Sequence, residues 1–369
     1  MRNPTGVLLT FLAIFSSSFS QAKERNPWTH FGLRPLGMGN AYVAIADDYN
    51  ALFYNPAGLA RLDSWDGEFL NPALTVSQKA TDLMSDASDL NGIDDTLGLI
   101  EENAGENVAL SFSLTPHLIF PHFGFGVGLN TTLLSMTFHR DLSVDVKSGI
   151  EIIAPISFAM NFLDDRLSLG ATLKGRAIGY VDREFSMEDL EALGSSDDTA
   201  GGEEAQELSD FIIGGYGAGV DFGLLFTPSK VMEPTLGVSI TDLGGTHFTE
   251  AKVGSDEPLG KPPVVLPSVN VGLSLKPFTW GSSYLRTAVD MHSINQPYSF
   301  SQKLQLGVEY GLGQFLKIQG GLYKGYFTSG IQLDAGIVNL KIVTYAEELG
   351  TVAGYQASRR YALQLKLLL

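Results

Sequence analysis

The stretch FGFGVGLN, residues 123–130, places a large apolar residue at every second position and a glycine after each of the first three. Successive side chains of a β-strand point to opposite faces, so this stretch has one bulky apolar face and one nearly bare face. The same period of two recurs after residue 65, for example in VALSFSLT, residues 108–115, and in YALQLKLLL, residues 361–369. The pattern predicts an all-β protein from there to the end of the chain.

About fourteen segments show this alternation, with boundaries good to about 2 to 4 residues. They lie near residues 65–77, 106–115, 121–140, 142–161, 165–184, 211–228, 233–243, 264–276, 281–292, 302–311, 315–324, 328–335, 338–347 and 359–369. The long connections, such as 78–105 and 185–210, all follow odd-numbered segments. Long loops at one end and tight turns at the other are typical of outer-membrane barrels. We therefore predict a transmembrane antiparallel β-barrel of about 14 strands with both termini in the periplasm; a soluble sandwich or propeller is the alternative.

Ionisable residues recur on the face opposite the large apolar residues. If the apolar face contacts lipid, the other face lines a lumen, where charges need not be buried in a dry core. The predicted lumen-lining residues are Lys174, Arg176, Asp221, Arg286, Asp290, Glu309 and Lys341, together with Lys317, Asp334 and Lys366.

The chain has a formal net charge of -17 and no cysteine, so it contains no disulfides. The acidic balance argues against a nucleic-acid partner, because no basic patch is present to neutralise phosphates. Two acidic stretches, residues 80–106 and 186–210, contain no Lys or Arg. They are typical of solvated loops and are candidate docking surfaces for protein partners; neither has the spacing of a known calcium loop.

The candidates for catalysis are weak. None of the six histidines has the spacing of a metal site, and His117 and His122 only flank a predicted turn. No residue pattern indicates a nucleophile and its base. We therefore predict no enzyme activity, no metal and no cofactor.

The N-terminus predicts export. Arg2 precedes the apolar run VLLTFLAIF, residues 7–15, and Ser20-Gln21-Ala22 has the small-x-small form of a cleavage site. Residues 1–22 are therefore predicted to be a secretory signal peptide. Residues 23–63 are then expected to form a compact plug, and residues 64–369 the barrel.

The predicted plug contains LGMGNAYVAIADDYNALFYNPAGLARL, residues 36–62. Its glycines do not complete a nucleotide-binding loop, and neighbouring Asp47 and Asp48 do not resemble an acid/base pair. The local pattern predicts a short apolar helix over Ala41–Leu52 and an Asn55 cap on a turn that opens with Pro56. The glycines permit close backbone approach.

With these motifs, RPLGMGNAYVAIADDYNALFYNPAGLARL, residues 34–62, resembles the N-terminal region of FadL-type outer-membrane transporters of hydrophobic compounds, and more closely their PorV-like relatives. The resemblance implies a fourteen-stranded barrel closed by a hatch. It carries over as plug-motif residues Arg34, Gly37, Gly39, Asp47, Asp48, Asn55, Pro56 and Gly58. The chain departs from the family in ending at Leu369, where an aromatic residue is usual, and in being short.

The resemblance implies passive passage of hydrophobic small molecules in the outer membrane, among lipid and lipopolysaccharide. The alternative is a barrel that transports nothing and serves as an interaction, secretion or assembly component. Because an unpaired buried charge is penalised, we expect the plug charges Arg34, Asp47 and Asp48 to pair with lumen charges. The expected partners are lumen charges such as Arg176, Arg286 or Lys341.

Overall fold

The computed structural model describes residues 32–86, 101–141, 143–186, 211–252, 260–313, 315–336, 338–350 and 354–367. The predicted signal peptide lies outside the described residues, as do residues 23–31. Most of the two acidic stretches, residues 87–100 and 187–210, also lies outside them.

The described residues contain eighteen strand segments. They are β1 (Asp66–Glu68), β2 (Ala73–Ser77), β3 (Asn107–Leu114), β4 (His117–Phe120), β5 (Phe123–Gly126), β6 (Gly128–Phe138), β7 (Val144–Phe162), β8 (Leu167–Phe185), β9 (Ile213–Phe226), β10 (Thr235–Thr241), β11 (Phe248–Ala251), β12 (Ser268–Trp280), β13 (Ser283–Met291), β14 (Leu304–Leu312), β15 (Leu316–Tyr323), β16 (Tyr326–Asp334), β17 (Val338–Glu348) and β18 (Ala357–Leu367).

All these segments belong to one sheet, and every pairing is antiparallel. Four strands are interrupted and consist of two consecutive segments, namely β1 with β2, β3 with β4, β5 with β6, and β10 with β11. The described chain therefore has fourteen strands, and β18 pairs with β2 to close the sheet on itself. The predicted fourteen-stranded antiparallel barrel is confirmed. The second strand was predicted to end near residue 115, but β4 extends it to Phe120.

Connections at the two ends of the barrel differ as predicted. One end, called the turn end below, has the connections 121–122, 163–166, 227–234, 281–282, 313–315 and 335–337. The other end, called the loop end, has the connections 78–106, 139–143, 186–212, 252–267, 292–303, 324–325 and 349–356. Two short helices lie at the loop end. Helix α3 (Gln78–Asp86) follows β2, and helix α4 (Phe300–Lys303) precedes β14. Among the described residues, no helix has the length and apolar character needed to cross a membrane.

The two faces of the strands have opposite chemistry. In β7 the outward side chains of Phe158 and Met160 are 60% and 63% exposed, whereas the inward Glu151 and Ser157 are fully buried. The same alternation continues around the barrel, so that its outer surface is a band of apolar side chains. Seven of the ten predicted lumen-lining residues are buried, namely Lys174, Arg176, Asp221, Arg286, Asp290, Glu309 and Lys341.

Residues 33–62, called the luminal segment below, lie inside the barrel and contact its inward-facing side chains. The segment contains α1 (Leu33–Gly37), α2 (Ala51–Tyr54) and a 3-10 helix (Pro56–Arg61). Its apolar side chains form a cluster with the wall residues Ile119, Ala159 and Ala288.

The predicted helix over Ala41–Leu52 is wrong, since the only helix overlapping it among the described residues begins at Ala51. The physical reason lies in the barrel wall. The backbone N–H groups of Tyr42 and Val43 donate to the Asp290 carboxylate at 2.6 and 2.7 Å, which holds this stretch against β13 instead of in a helix. Ala46 also has φ +34°, a value outside the helical region.

The predicted cap on the last turn is confirmed. The side chain of Asn55 accepts a hydrogen bond from the backbone N–H of Ala57, and Pro56 occupies the first position of the 3-10 helix. Proline costs nothing there, because its missing N–H would have no partner within the helix.

Candidate functional site

The luminal segment is fastened to the barrel wall at Arg34. This guanidinium donates from Nε and Nη2 to the two carboxylate oxygens of Glu309 in β14, at 2.8 and 2.7 Å. Tyr284 and Gln319 also donate to the same carboxylate, at 2.8 and 3.1 Å. Because both ions are buried, the pair depends on this complete set of hydrogen bonds.

The two adjacent aspartates extend the contact to β13. Asp47 accepts hydrogen bonds from Nη1 of Arg34 at 2.7 Å and from Nη1 of Arg286. Burial raises the pKa of the Asp47 carboxyl, but the two arginines outweigh it and hold that pKa well below its usual value. Asp48 accepts from Arg34 at 3.0 Å and from both the backbone and side-chain nitrogens of Asn50. Asp47 is therefore an ionised anchor, and both aspartates have hydrogen-bond partners on their carboxylates.

The plug-motif glycines lie where the backbone comes very close to other atoms. Gly39 has φ +62°, and a Cβ there would lie 2.2 Å from the carbonyl oxygen of Leu306. A Cβ at Gly58 would lie 1.9 Å from the carbonyl oxygen of Ala46. At Gly37 the nearest obstacle is the flexible side chain of Gln319. Only glycine fits the first two positions, because any side chain would overlap backbone.

Asn55 and Pro56 fasten the last turn to the wall at β8 and β9. The Asn55 amide donates to the carbonyl oxygens of Val43 at 2.8 Å and of Leu224 at 3.2 Å. A Cβ at Gly223 or at Gly170 of the wall would overlap Asn55 or Pro56. Glycines in the wall thus make room for this turn, as glycines of the luminal segment do elsewhere.

The plug charges pair with lumen charges as expected, Arg34 with Glu309 and Asp47 with Arg286. Lys341 donates to Gln364 at 3.0 Å and lies over the Tyr49 ring, so it contacts the luminal segment through an aromatic face and not through a carboxylate. Arg176 does not contact the segment. Its partners are Glu151 and Asp242, which belong to the wall network described next.

A second ionic network lies on the inner faces of β7, β8 and β9. Lys174 contacts Asp221 at 2.7 Å and Asp242 at 3.1 Å, and Asp242 also contacts Arg176. The network contains five buried charges, two cations and three carboxylates, and the luminal segment contributes none of them. It joins wall strands to one another, whereas the network around Arg34 joins the segment to the wall.

Three solved structures have the same architecture. CymD, described as a monoaromatic hydrocarbon channel, matches with a TM-score of 0.53 and 13% identity over 92% of this chain and 97% of its own. The toluene transporter TodX from Pseudomonas putida matches with a TM-score of 0.50 and 13% identity over 90% of this chain and 95% of its own. The toluene transporter TbuX from Ralstonia pickettii matches with a TM-score of 0.51 and 11% identity over 92% and 99%. No protein-family model and no curated protein matches the sequence.

The chain has the FadL-type barrel fold. The sequence resemblance of residues 34–62 is confirmed at that level. The narrower likeness to PorV-like relatives stays a prediction. All three similar proteins are described as channels or transporters.

In this FadL-type barrel, some contact residues were not predicted. Tyr284 and Gln319 lie at even spacing from the predicted Arg286 and Lys317, and Glu151 lies at even spacing from the buried Ser157 of the same strand, so the period of two could have identified them. Asp242 follows the end of β10 and carries no such signal.

A cavity of about 450 Å³ lies at the turn end, against the luminal segment of this FadL-type barrel. Its charged lining residues are Asp47, Asp48, Arg61, Asp63, Asp66, Glu233, Lys276 and Arg286. Such a lining suits water and ions, and it is a poor resting place for an apolar molecule. The apolar contact between the segment and the wall is a packed cluster, in which Ile45, Leu52 and Leu59 lie with Ile119 and Ala159.

Proposed function

We propose that this protein is an outer-membrane channel for passive entry of hydrophobic small molecules, with the luminal segment as its plug. The FadL-type fold supports a transport barrel. The observation that carries the proposal is that ion pairs join the luminal segment to the wall, Arg34 with Glu309 and Asp47 with Arg286. Among the described residues the segment contributes no strand to the sheet, so its ion pairs, hydrogen bonds and apolar contacts can be released without breaking strand pairing.

The plug separates two kinds of surface. Its charged contacts face the polar cavity at the turn end, and its apolar cluster lies against Ile119, Ala159 and Ala288 of the wall. A hydrophobic molecule can replace apolar contacts between the plug and the wall with little loss of free energy, while a hydrated ion cannot. We therefore propose that hydrophobic compounds pass between the plug and the wall when the plug shifts.

The band of apolar side chains supports placement in an outer membrane, among lipid and lipopolysaccharide. In this proposal the turn end, the N-terminus and the plug face the periplasm, because barrels of this kind have short periplasmic turns and longer outer loops.

Uptake by whole cells tests the proposal. A Gram-negative host without its own hydrocarbon channels would produce the chain or an empty vector, and entry of radiolabelled toluene, other monoaromatic compounds and a long-chain fatty acid would be measured. We expect faster entry of at least one of these compounds at equal cell density. Entry equal to the empty vector for the whole panel, with folded barrel present in the outer membrane, would exclude the transport function.

The acidic stretches 80–106 and 186–210 favour a second candidate, a barrel that serves as an interaction or assembly component. A net charge of -17 concentrated in connections at one end suits docking of a basic protein surface. Cross-linking in intact outer membranes followed by capture would then recover a defined partner. A variant with neutral residues in both stretches should lose that partner while its barrel remains folded.

A further inference from the structure

Three metal-ligating side chains meet on the inner face of the barrel at its turn end. Glu68 in β1 lies directly opposite His117 in β4, and Asp66 precedes Glu68 by two residues on the same face. One ligand atom from each of the three lies within 4.8 Å of the others. Spacing along the sequence cannot reveal this group, because strand pairing brings together residues that are far apart in the chain. The expectation of no metal site rested on that spacing alone.

The imidazole of His117 is poised to act as a ligand. Its Nδ1 lies 2.9 Å from the carbonyl oxygen of Thr115. A carbonyl oxygen can only accept, so Nδ1 carries a proton, and in the tautomer protonated on Nδ1 alone the other nitrogen, Nε2, presents a lone pair. A second hydrogen bond of this kind orients most metal-binding histidines.

Nothing in the described structure uses that lone pair. The His117 side chain is completely buried, and its Nε2 has no hydrogen-bond partner among the described residues. The nearest carboxylate oxygen, on Asp66, is 3.7 Å away, which is too long for a hydrogen bond. A buried nitrogen acceptor without a partner is costly, and a cation between it and the carboxylates would remove that cost.

Lys366 already supplies a positive charge to the same group. Its Nζ lies 2.6 Å from Oε1 of Glu68 and 3.7 Å from Asp66. An ammonium group satisfies the carboxylates but cannot satisfy Nε2 of His117, because that nitrogen is directed at the carboxylates and Lys366 makes no hydrogen bond to it. A divalent cation would satisfy all three side chains at once.

We propose that Asp66, Glu68 and His117 bind one divalent cation of the Zn²⁺ type, and that Lys366 balances the two carboxylates when the cation is absent. One imidazole nitrogen and two carboxylate oxygens favour Zn²⁺ and related first-row ions over Mg²⁺ and Ca²⁺, which prefer oxygen ligands alone. Asp66 is 45% exposed and lines the turn-end cavity, so the cation has an entry path and an open coordination position for water.

Binding would also stiffen the contact between the wall and the luminal segment. The His117 ring stacks on the Tyr49 ring of that segment, with centroids 4.2 Å apart. A cation on Nε2 fixes the orientation of the imidazole, and so fixes the surface on which Tyr49 rests.

Titration with Zn²⁺ tests the site in tag-free, folded protein in detergent, after removal of metals with EDTA. A chromophoric chelator that competes for Zn²⁺ reports the affinity and the stoichiometry. We expect one Zn²⁺ per chain, and His117→Gln should weaken binding by about tenfold or more. The matched control is His247→Gln, since His247 is an exposed histidine outside the group and its loss should leave the affinity unchanged.

Two further variants keep the test decisive. Asp66→Asn removes a ligand at a half-exposed position and should also weaken binding, even if His117→Gln fails to fold as judged by heat-modifiable gel mobility. Lys366→Gln removes the competing ammonium and should strengthen binding. Absence of stoichiometric Zn²⁺ binding, or equal affinity in wild type and both ligand variants, would overturn the site. Weaker binding in Lys366→Gln would overturn the role given to the lysine.

Discussion

The guanidinium of Arg34 and the carboxylate of Glu309 form a two-point contact, at 2.8 and 2.7 Å, between residues 275 positions apart. We predict that Glu309→Gln loosens the luminal segment, because it leaves a buried cation without its main counter-charge. Breaking such a pair costs about 3 kcal/mol, which is roughly a 100-fold rise in opening. The measurement is the rate of thiol labelling of Ala51→Cys, a fully buried position in a chain that has no natural cysteine.

The control for this experiment is Glu250→Gln, which makes the same chemical change at an exposed position of β11. It should leave the labelling rate unchanged. Equal labelling in Glu309→Gln and wild type would mean that the ion pair does not hold the segment.

The pH dependence of stability should report Asp47. Its pKa is held below the usual value near 4 by Arg286 and Arg34, so its stabilising effect is fully present above that value and is lost as the pH falls through the lowered pKa. We expect the difference in heat-unfolding midpoint between wild type and Asp47→Asn to stay constant from about pH 8 to 5, and to shrink only below about pH 4. Asp164→Asn, at an exposed turn, is the control. A difference that already shrinks between pH 7 and 5 would contradict the assignment.

A reversible lock can test whether the plug must move for transport. A Cβ at Gly37 would lie 3.3 Å from Cβ of Gln319, close to the separation found in disulfides. We expect the double variant Gly37→Cys/Gln319→Cys to lose uptake when oxidised and to regain it with a reductant. Each single variant is a control. Full uptake by protein that is shown to be cross-linked would place the route outside the movement of the segment.

The backbone fit of the segment is testable at Gly39. Gly39→Ala combines a positive φ with an overlap on the Leu306 carbonyl, whereas Gly281→Ala has a similar φ of +58° and open space around it. The first effect costs about 1–2 kcal/mol, and the overlap adds about 1–3 kcal/mol. Only Gly39→Ala should therefore speed the labelling of Ala51→Cys. Similar labelling rates in the two glycine variants would show that close packing of Gly39 against Leu306 does not hold the luminal segment in place.

The barrel could be predicted from sequence because successive side chains along each strand point alternately to the lumen and to the outer surface. Glu309 and Arg286 could be assigned to the lumen by parity alone, without any knowledge of which strands pair. The long connections all follow odd-numbered members of the fourteen strands, and this alternation predicted which end of the barrel has the loops and which has the turns. The strand His117–Phe120 was missed because it follows an interruption at residues 115–116.

The interior contacts could not be predicted in the same way. Tyr42 lies outside a helix because of Asp290, which is more than 200 residues away, and no local pattern records that contact. Arg176 has the same parity and charge as Arg286, yet its partners are Glu151 and Asp242 of the wall. Charge and parity identify which residues face the lumen, while the pairing among them depends on three-dimensional distance.

The pairing of β2 with β18 implies an order of assembly for the barrel. It joins Ala73–Ser77 to a strand that ends at Leu367, so the cylinder cannot close until the last strand is in place. The luminal segment precedes all strands, yet its arginine binds to β14 and its backbone to β13. Its contacts with Asp290 and Glu309 therefore form only after β13 and β14 are in place. Once β2 pairs with β18, the segment can enter the lumen only through an end of the barrel.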